Sequence, residues 1–282
     1  MIEIENNPLI KEIISLALRE DIGAGDITTD AIIRSEKSKT KARLIAKEEF
    51  VLAGLPLFKA VFKHLSKDIS FEELHKEGDI VKCGDVICYI KGPVSVILKA
   101  ERTALNFLQR MSGIATAVRR FIEKISHTKA KILDTRKTAP GMRILDKYAV
   151  RIGGGLNHRF GLFDGILIKD NHISAAGSIK EAIRRAKAYA PHTLKIEVEV
   201  EDLSQLKEAL DSGVDIVLLD NMGLDEIKKA VQIAKGKVLI EVSGGIKLDN
   251  VEEIAATGVD FISVGEITHS VRGVDISLEL QR

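Results

Sequence analysis

Apolar and polar residues follow different patterns in the two parts of the chain. In the first hundred residues, short apolar runs alternate with turn formers, and helical spacing over 8–20 predicts one amphipathic helix. Its buried face would hold Leu9, Ile13, Leu16 and Ala17. Apolar and polar residues alternate over segment 77–90 around two Gly-Asp pairs, which predicts a β-hairpin. This part of the chain is therefore expected to mix helices with short strands.

The second part shows a regular alternation of strands and helices. A long helix is predicted over 101–128, with Gly113 marking a break in it. Short apolar strands then alternate with amphipathic helices, the pattern of βα units around a parallel sheet. The six strands expected are 132–134, 165–169, 195–199, 215–220, 238–242 and 261–265. Because a complete βα barrel has eight strands, these six predict an α/β fold with an open, incomplete barrel.

The last segment differs from the barrel strands. Residues 274–281 alternate strictly between apolar and polar, which is typical of a strand with one exposed face. Barrel strands are buried on both faces and are continuously apolar. We therefore expect two domains, residues 1–104 joined by the tail 270–282, and a barrel over 105–269.

Composition excludes several classes of function. The 282 residues include 42 Lys+Arg and 41 Asp+Glu, and a net charge of +1 argues against a nucleic-acid partner. Aromatic residues make up 4% with no Trp, too few for a base-stacking surface. Cys83 and Cys88 match neither a disulfide scaffold nor a zinc site. Residues 1–5 lack a signal-peptide pattern and no apolar run approaches about 20 residues, so we expect a cytoplasmic protein without membrane contact.

Polar residues gather directly after the predicted barrel strands. These strand ends carry, in order, 134–137, 169–172, Glu199, 220–221, 243–245 and 265–266. In a βα barrel the carboxyl ends of the strands share one face, where the active site lies. A cationic cluster is expected there, made of Arg136, Lys137, Arg159 and Lys169 with His158 nearby. Such a cluster suits a ligand with several negative charges.

Glycines and carboxylates complete the predicted site. The triplet 153–155 indicates a tight loop or a close approach of the backbone to a ligand. Residues 243–245 and Gly265 suit phosphate binding by backbone N–H groups. Glu199 and Asp220 suit either Mg²⁺ or ribose hydroxyls. Alternation along the strand would place Glu197 and Glu201 on the same face as Glu199.

Taken in order, these segments resemble the quinolinate phosphoribosyltransferase family. The resemblance is carried almost from end to end by EDIG at 20–23, GDIT at 25–28, AERTALN at 100–106, DTRKT at 134–138, GGG at 153–155, HR at 158–159, KDNH at 169–172, EVEV at 197–200, LDN at 219–221 and SGG at 243–245. It implies an N-terminal α/β sandwich domain beside the open barrel, and a homodimer whose further assembly, for example to a hexamer, is left open. The implied reaction is phosphoribosyl transfer from phosphoribosyl pyrophosphate to quinolinate with decarboxylation. Its products would be nicotinate mononucleotide, diphosphate and CO₂, in NAD biosynthesis.

The resemblance also implies roles for individual residues. The pocket for the pyridine dicarboxylate would be lined by Arg136, Arg159 and Lys169, with Thr135, Lys137 and His158 beside them. Arg102 would enter the pocket of the neighbouring subunit. The expected catalytic residues are Lys137, Lys169, Glu199 and Asp220, of which Glu199 and Asp220 would contact the ribose and the Mg²⁺ of phosphoribosyl pyrophosphate. Its phosphate would be bound by Ser243, Gly244, Gly245, Val264, Gly265 and Glu266.

Three other functions are weighed against this one. A Schiff-base lyase would use Lys169 as nucleophile, which requires a neutral amine, and Glu199 and Asp220 oppose that. A ligand-binding relative without activity would be expected to have lost part of the charged set. A phosphoribosyltransferase acting on nicotinate would bind one carboxylate, whereas Arg102 and Arg136 supply enough positive charge for two.

Overall fold

The contacts of the chain divide it into two compact units. The computed structural model describes residues 4, 6–33 and 38–281, so most of the segment 1–5 used for the signal-peptide prediction lies outside the described residues. The first unit comprises residues 1–119, 138–154 and 270–282, and the second comprises 120–137 and 155–269. The predicted boundary at 104/105 falls inside one continuous helix, Val94–Ile125, which contributes residues to both units.

The described chain contains both helices and strands, which alternate regularly only in its second part. The strands are β1 (Lys39–Ala46), β2 (Phe50–Val51), β3 (Ser70–Glu73), β4 (Ile80–Val81), β5 (Val86–Pro93), β6 (Lys131–Leu133), β7 (Ile166–Ile168), β8 (Ile196–Val200), β9 (Ile216–Asp220), β10 (Leu239–Ser243), β11 (Phe261–Ser263) and β12 (Ile276–Leu280). The helices are α1 (Pro8–Ile22), α2 (Ile27–Ile32), α3 (Leu55–Leu65), α4 (Val94–Ile125), α5 (Arg143–Ile152), α6 (Asp170–Ala176), α7 (Ile179–Tyr189), α8 (Leu203–Asp211), α9 (Leu224–Ala234), α10 (Val251–Ala256) and α11 (Glu266–His269). Among the described helices, none is both long and apolar enough to cross a membrane.

The first unit contains an antiparallel sheet that includes the tail. Its strand order is β12-β1-β5-β3, and β12 pairs with β1 from Ile276 opposite Ala46 to Leu280 opposite Ala42. The prediction that the tail forms a strand and joins the first sheet is confirmed. The predicted hairpin over 77–90 is wrong, because β4 pairs with β2 while β5 pairs with β1 and β3. Gly84, at a φ of +92°, lies in the turn that takes the chain from one sheet to the other.

Helix α1 is present, but it buries a different face from the predicted one. Asn7 caps it by accepting hydrogen bonds from the backbone N–H groups of Leu9 and Ile10. The buried residues are Ile10, Ile14 and Leu18, whereas Leu9 and Leu16 are 45% and 60% exposed. The helix carries two neighbouring apolar stripes, so its own periodicity does not decide which of them packs on the core.

Helix α4 runs without interruption through Gly113, so the predicted break there is wrong. Glycine is required at this position for packing. An added Cβ would lie 2.3 Å from the carbonyl oxygen of Arg272 and 3.0 Å from Val271 Cγ1, both in the tail. Only glycine fits at this position because the tail backbone passes directly over the helix.

This close approach predicts the effect of Gly113→Ala. In the middle of an exposed helix, replacing Gly by Ala would raise the free energy of unfolding by about 1 kcal/mol. Here we expect the free energy of unfolding to fall by about 1–3 kcal/mol, because the methyl group overpacks the contact with the tail. Urea unfolding measures the change. Gly273→Ala is the control, since its Cβ would meet Gln109 at an ordinary 3.7 Å. If Gly113→Ala were more stable than the parent, the close contact would be absent.

The second unit is built on a parallel sheet of six strands. Their order is β6-β11-β10-β9-β8-β7, and each neighbouring pair is parallel. All six strands predicted from the sequence are present, and β6 and β7 form the two ends of the sheet rather than pairing with each other in the described chain. The α/β fold with an open barrel is confirmed. The carboxyl ends of the six strands therefore meet at one face.

Candidate active site

A cavity of about 640 Å³ lies at the carboxyl ends of the barrel strands. The structure brings most of the predicted site residues together in its lining, namely Thr135, Arg136, Lys137, His158, Arg159, Lys169, Glu199, Asp220, Ser243, Gly244, Gly245, Gly265 and Glu266. Arg102 is not in the lining; it is exposed on α4, in the first unit. Val264 is also outside it, with its side chain buried and its N–H bonded to the carbonyl of Leu133.

Asp134 fixes the segment that brings His158 and Arg159 to the cavity. Leu156 forms an isolated bridge with Leu133 at the end of β6. The buried carboxylate of Asp134 accepts hydrogen bonds from Asn157 Nδ2 at 2.6 Å and from the N–H of His158 at 2.8 Å. Hydrogen bonds to an ionised acceptor are stronger than those between neutral groups, so the buried carboxylate of Asp134 holds this segment firmly.

Two arginines of the cavity lie close enough to repel each other. Burial lowers the pKa of the Arg159 guanidinium, and the neighbouring charge of Arg136 lowers it further. Arg159 Nη1 donates to the carbonyl of Gly165 at 3.0 Å, but its buried Nε has no hydrogen-bond partner among the described residues. A buried donor left without an acceptor costs about 1–3 kcal/mol. This arrangement favours an anion that binds between the two guanidinium groups.

Lys169 and Glu199 form an ion pair at the ends of β7 and β8. Lys169 Nζ lies 2.5 Å from Glu199 Oε2, with the carboxylate largely buried. The backbone N–H of Lys169 donates to His172 Nδ1 at 2.9 Å, so the histidine of the KDNH segment caps the start of α6. The amine that a Schiff-base reaction would need as a free nucleophile is thus engaged by a carboxylate, which argues against that function.

The loops after β9 and β10 interlock around two left-handed residues. Gly244 has a φ of +90° and Asn221 a φ of +53°. A Cβ on Gly244 would lie 2.2 Å from Asn221 Oδ1, so only glycine fits beside this asparagine. The N–H of Asn221 donates to the carbonyl of Ser243 at 3.0 Å. The SGG segment is thereby held at the rim of the cavity, where Lys247 pairs with Glu266 at 3.1 Å.

The glycine triplet 153–155 serves packing rather than the cavity. A Cβ on Gly153 would lie 2.6 Å from the carbonyl oxygen of Ala115 on α4, and Gly154 turns the chain at a φ of +97° after α5. None of the three lines the cavity. Of the two interpretations of the triplet, the tight loop is therefore the correct one.

Several cavity residues were not singled out from the sequence, and Glu241 matters most among them. The others are Leu167, Leu218, Ile246, Lys247, Ser263 and His269. Glu241 interrupts the apolar run of β10, and a carboxylate inside a continuously apolar parallel strand is a signal that could have identified it. Glu201, by contrast, lies exposed beyond the end of β8 and outside the cavity lining.

Among the described residues, three side chains lie close enough to hold a metal ion. They are His158, Glu197 and Glu241, and their ligand atoms lie within 4.8 Å of one another. This group is different from the predicted pair Glu199 and Asp220, which lie at the ends of the adjacent strands β8 and β9. Burial, together with the charge of Glu197, raises the pKa of Glu241 to about 8. Glu241 is therefore largely protonated at neutral pH.

Comparison with known proteins identifies a family for most of the chain. The model of the quinolinate phosphoribosyl transferase N-terminal domain matches residues 26–112, and that of the C-terminal domain matches residues 114–279. The chain therefore belongs to the quinolinate phosphoribosyl transferase family.

Individual relatives are similar over nearly their full length. A probable carboxylating nicotinate-nucleotide pyrophosphorylase of Bacillus subtilis is 42% identical over 98% of this chain and 94% of its own. Its counterpart in Methanocaldococcus jannaschii is 44% identical over 96% of this chain and 97% of its own. The solved nicotinate-nucleotide pyrophosphorylase of Francisella tularensis superposes with a TM-score of 0.92 at 43% identity, covering 100% of both chains.

Proposed function

We propose that this protein transfers the phosphoribosyl group of phosphoribosyl pyrophosphate to quinolinate and releases CO₂, forming nicotinate mononucleotide and diphosphate. The observation that carries the proposal is the pair of neighbouring guanidinium groups, Arg136 and Arg159, in the lining of the cavity. Family membership supports the same reaction, since the similar proteins are named for it.

The adjacent carboxylates of quinolinate match the cationic side of the cavity. Arginine binds a carboxylate through two parallel N–H donors, and Arg159 lines the cavity. Arg136 supplies the second guanidinium, and the ammonium of Lys137 adds a charge on the same loop. Two carboxylates would relieve the repulsion between the arginines more completely than the one carboxylate of nicotinate.

Other residues of the cavity lining have the groups that would bind phosphoribosyl pyrophosphate. Residues 243–245 expose a glycine backbone at the cavity rim, and Lys247 lies two residues beyond them. Backbone N–H groups of such loops bind phosphate oxygens. Glu199 and Asp220, on neighbouring strands, line the cavity and would accept hydrogen bonds from ribose hydroxyls.

The carboxylates also fit Mg²⁺, with Asp220 as its protein ligand. Mg²⁺ binds proteins through one or two carboxylates and completes its shell with substrate phosphates and water. Asp220 is half-buried in the cavity and accepts one hydrogen bond from Asn221 Nδ2 at 2.8 Å, whereas Glu199 is engaged by Lys169. When bound, Mg²⁺ would neutralise charge on the diphosphate.

The protein's own residues would act by orientation and electrostatics. The arginines hold quinolinate by its carboxylates so that its ring nitrogen faces the anomeric carbon of the ribose. The new bond joins these two atoms as the bond to diphosphate breaks, and basic side chains stabilise the departing charge. The ring nitrogen is then cationic, so the electron pair left at C2 by departing CO₂ is stabilised, and a proton takes the place of the carboxylate.

Substrate preference tests the proposed function. With phosphoribosyl pyrophosphate and Mg²⁺, we expect nicotinate mononucleotide from quinolinate and little or none from nicotinate at the same concentration. Loss of one of two paired carboxylates should lower kcat/KM on the order of a hundredfold or more. Turnover of nicotinate without turnover of quinolinate would contradict the proposal.

Asp220→Asn tests the assignment of Mg²⁺. We expect the Mg²⁺ concentration at half-maximal rate to rise about tenfold or more, because an amide oxygen is a weaker ligand than a carboxylate. Asp225→Asn, an exposed acidic residue at the start of α9, is the control and should leave the Mg²⁺ dependence unchanged. An unchanged Mg²⁺ dependence in Asp220→Asn, with weaker binding of phosphoribosyl pyrophosphate, would assign Asp220 to the ribose instead.

We also propose that the active unit is a homodimer in which Arg102 completes the cavity of the partner. The support is that Arg102 is an exposed cation outside the lining of its own chain's cavity. Assembly beyond the dimer, the cytoplasmic location and the absence of nucleic-acid and membrane partners stay predictions from the sequence.

A further inference from the structure

A buried polar network forms part of the cavity wall, and Glu197, Glu241 and Ser263 have no part in the chemistry described so far. His158 Nε2 lies 3.0 Å from Glu197 Oε2 and 3.7 Å from Glu241 Oε1. Ser263 Oγ donates a hydrogen bond to Glu241 Oε1. Glu197, Glu241 and Ser263 are all almost fully buried, and they come from three different strands, β8, β10 and β11. Such a network is costly unless its members satisfy one another.

The main chain at Arg159 determines the tautomer of His158. The backbone N–H of Arg159 donates to His158 Nδ1 at 2.7 Å. Because Nδ1 accepts this bond, it carries no proton, and the proton of the neutral ring is on Nε2. Nε2 therefore donates to Glu197, and both ring nitrogens are engaged by the protein.

This tautomer excludes a metal ion at the cluster. A metal bound at Nε2 requires that nitrogen to be unprotonated, while Nδ1–H donates to an acceptor. Here Nδ1 faces the N–H of Arg159, which is a donor. A metal at Nε2 would move the ring proton to Nδ1, where it would point at the proton of that N–H. His158, Glu197 and Glu241 have the right atoms for metal binding but the opposite hydrogen-bond direction.

The network is connected to the proposed dicarboxylate site through one residue. His158 directly precedes Arg159, and the backbone N–H of His158 donates to Asp134. The imidazole of His158 accepts from the backbone N–H of Arg159. The side chain of Arg159 extends from this backbone to the carbonyl of Gly165 and the cavity. A rotation of the imidazole would release the backbone from which the guanidinium group extends.

We propose that Glu197 and Glu241 are positioning residues that orient Arg159 through His158. Glu197 accepts the Nε2 proton and locks the ring, Glu241 packs against both and is oriented by Ser263, and Nδ1 of the locked ring holds the backbone of Arg159. The consequence for binding of quinolinate rests on the proposed function, whereas the orientation of the ring does not.

The first experiment observes the tautomer without any substrate. Long-range ¹⁵N–¹H correlation spectra of protein with ¹⁵N-labelled histidine distinguish the two neutral forms and the cation, and His158→Asn identifies the signals of His158. We expect the Nε2–H form near neutral pH. Observation of the Nδ1–H form or of a doubly protonated ring would overturn the proposal, whatever the substrate of the protein is.

The second experiment separates positioning from general destabilisation. In Glu197→Leu, His158 Nε2 loses its acceptor. We expect quinolinate to bind about 10–100-fold more weakly, the size of effect seen when a group that orients a binding side chain is removed. Calorimetry measures the affinity. KM for phosphoribosyl pyrophosphate should change less than about twofold, because residues 243–245 are untouched. Glu197→Gln keeps an acceptor and should restore most of the affinity. Glu201→Leu, the same substitution at the exposed end of β8, is the control.

The outcomes remain distinguishable if one variant fails. Should Glu197→Leu not fold, Ser263→Ala removes only the donor that orients Glu241 and should weaken quinolinate binding in the same direction, by a smaller factor. A folded Glu197→Leu that binds quinolinate like the parent would overturn the positioning role, as would equal losses for both substrates. Failure of the parent protein itself to bind quinolinate would overturn the proposed function and leave the tautomer result standing.

Discussion

Arg159→Ala is expected to lower kcat/KM for quinolinate on the order of a thousandfold. Arg159 lines the cavity beside the positive charge of Arg136, so its guanidinium group is expected to bind a substrate carboxylate. Removing one member of a buried, hydrogen-bonded charge pair costs about 2–5 kcal/mol, and each 1.4 kcal/mol is a factor of ten. Steady-state rates at varied quinolinate and at varied phosphoribosyl pyrophosphate measure the effect.

Two further variants define what the loss means. Arg159→Lys keeps the charge but loses the planar fork and its bond to Gly165, so we expect an intermediate loss. Arg184→Ala removes an exposed arginine that pairs with Glu181 on α7, and its kinetics should match the parent. The assignment would be wrong if Arg159→Ala raised KM for phosphoribosyl pyrophosphate and left KM for quinolinate unchanged.

Mixed dimers of Arg102→Ala and Lys169→Ala chains are expected to recover activity that neither variant has alone. In a mixed dimer, the cavity of the Arg102→Ala chain keeps its own Lys169 and receives Arg102 of the partner subunit. The other cavity lacks both. Dimers isolated through two different affinity tags should therefore have about half of the parent activity per dimer, one working site of two.

A second pairing provides the control for subunit sharing. Lys169 and Glu199 line the same cavity of one chain, with Lys169 Nζ 2.5 Å from Glu199 Oε2. Mixed dimers of Lys169→Ala and Glu199→Ala chains have no intact cavity and should stay inactive. Stable mixed dimers of the first pair without activity would show that Arg102 does not act across the interface.

The sequence predicted the barrel well because its signals are local. Most of the strands β6 to β11 are short, mainly apolar runs with polar residues at or near their carboxyl ends, and parallel strands place all those polar ends on one face. The cavity could thus be assembled from positions in the sequence without knowledge of any long-range contact. Arg136, Lys169 and Glu199 all follow this rule.

The features that the sequence did not predict depend on contacts between distant segments. Gly113 was expected to break a helix, but it makes room for a tail more than 150 residues further along the chain. The face of α1 and the partner of β4 were likewise decided by packing, not by periodicity. Glu241 interrupts an apolar strand and could have been noticed for that reason, but its partners His158, Glu197 and Ser263 come from distant segments of the chain.

The fate of the two carboxylates of quinolinate tests the central claim most directly. Quinolinate labelled with ¹³C in the 2-carboxylate is incubated with the protein, phosphoribosyl pyrophosphate and Mg²⁺, and the CO₂ and nicotinate mononucleotide are measured. The proposed reaction predicts labelled CO₂ in equal amount to diphosphate, and unlabelled nicotinate mononucleotide. Retention of the label in the product, or release of CO₂ without phosphoribosyl pyrophosphate, would contradict it.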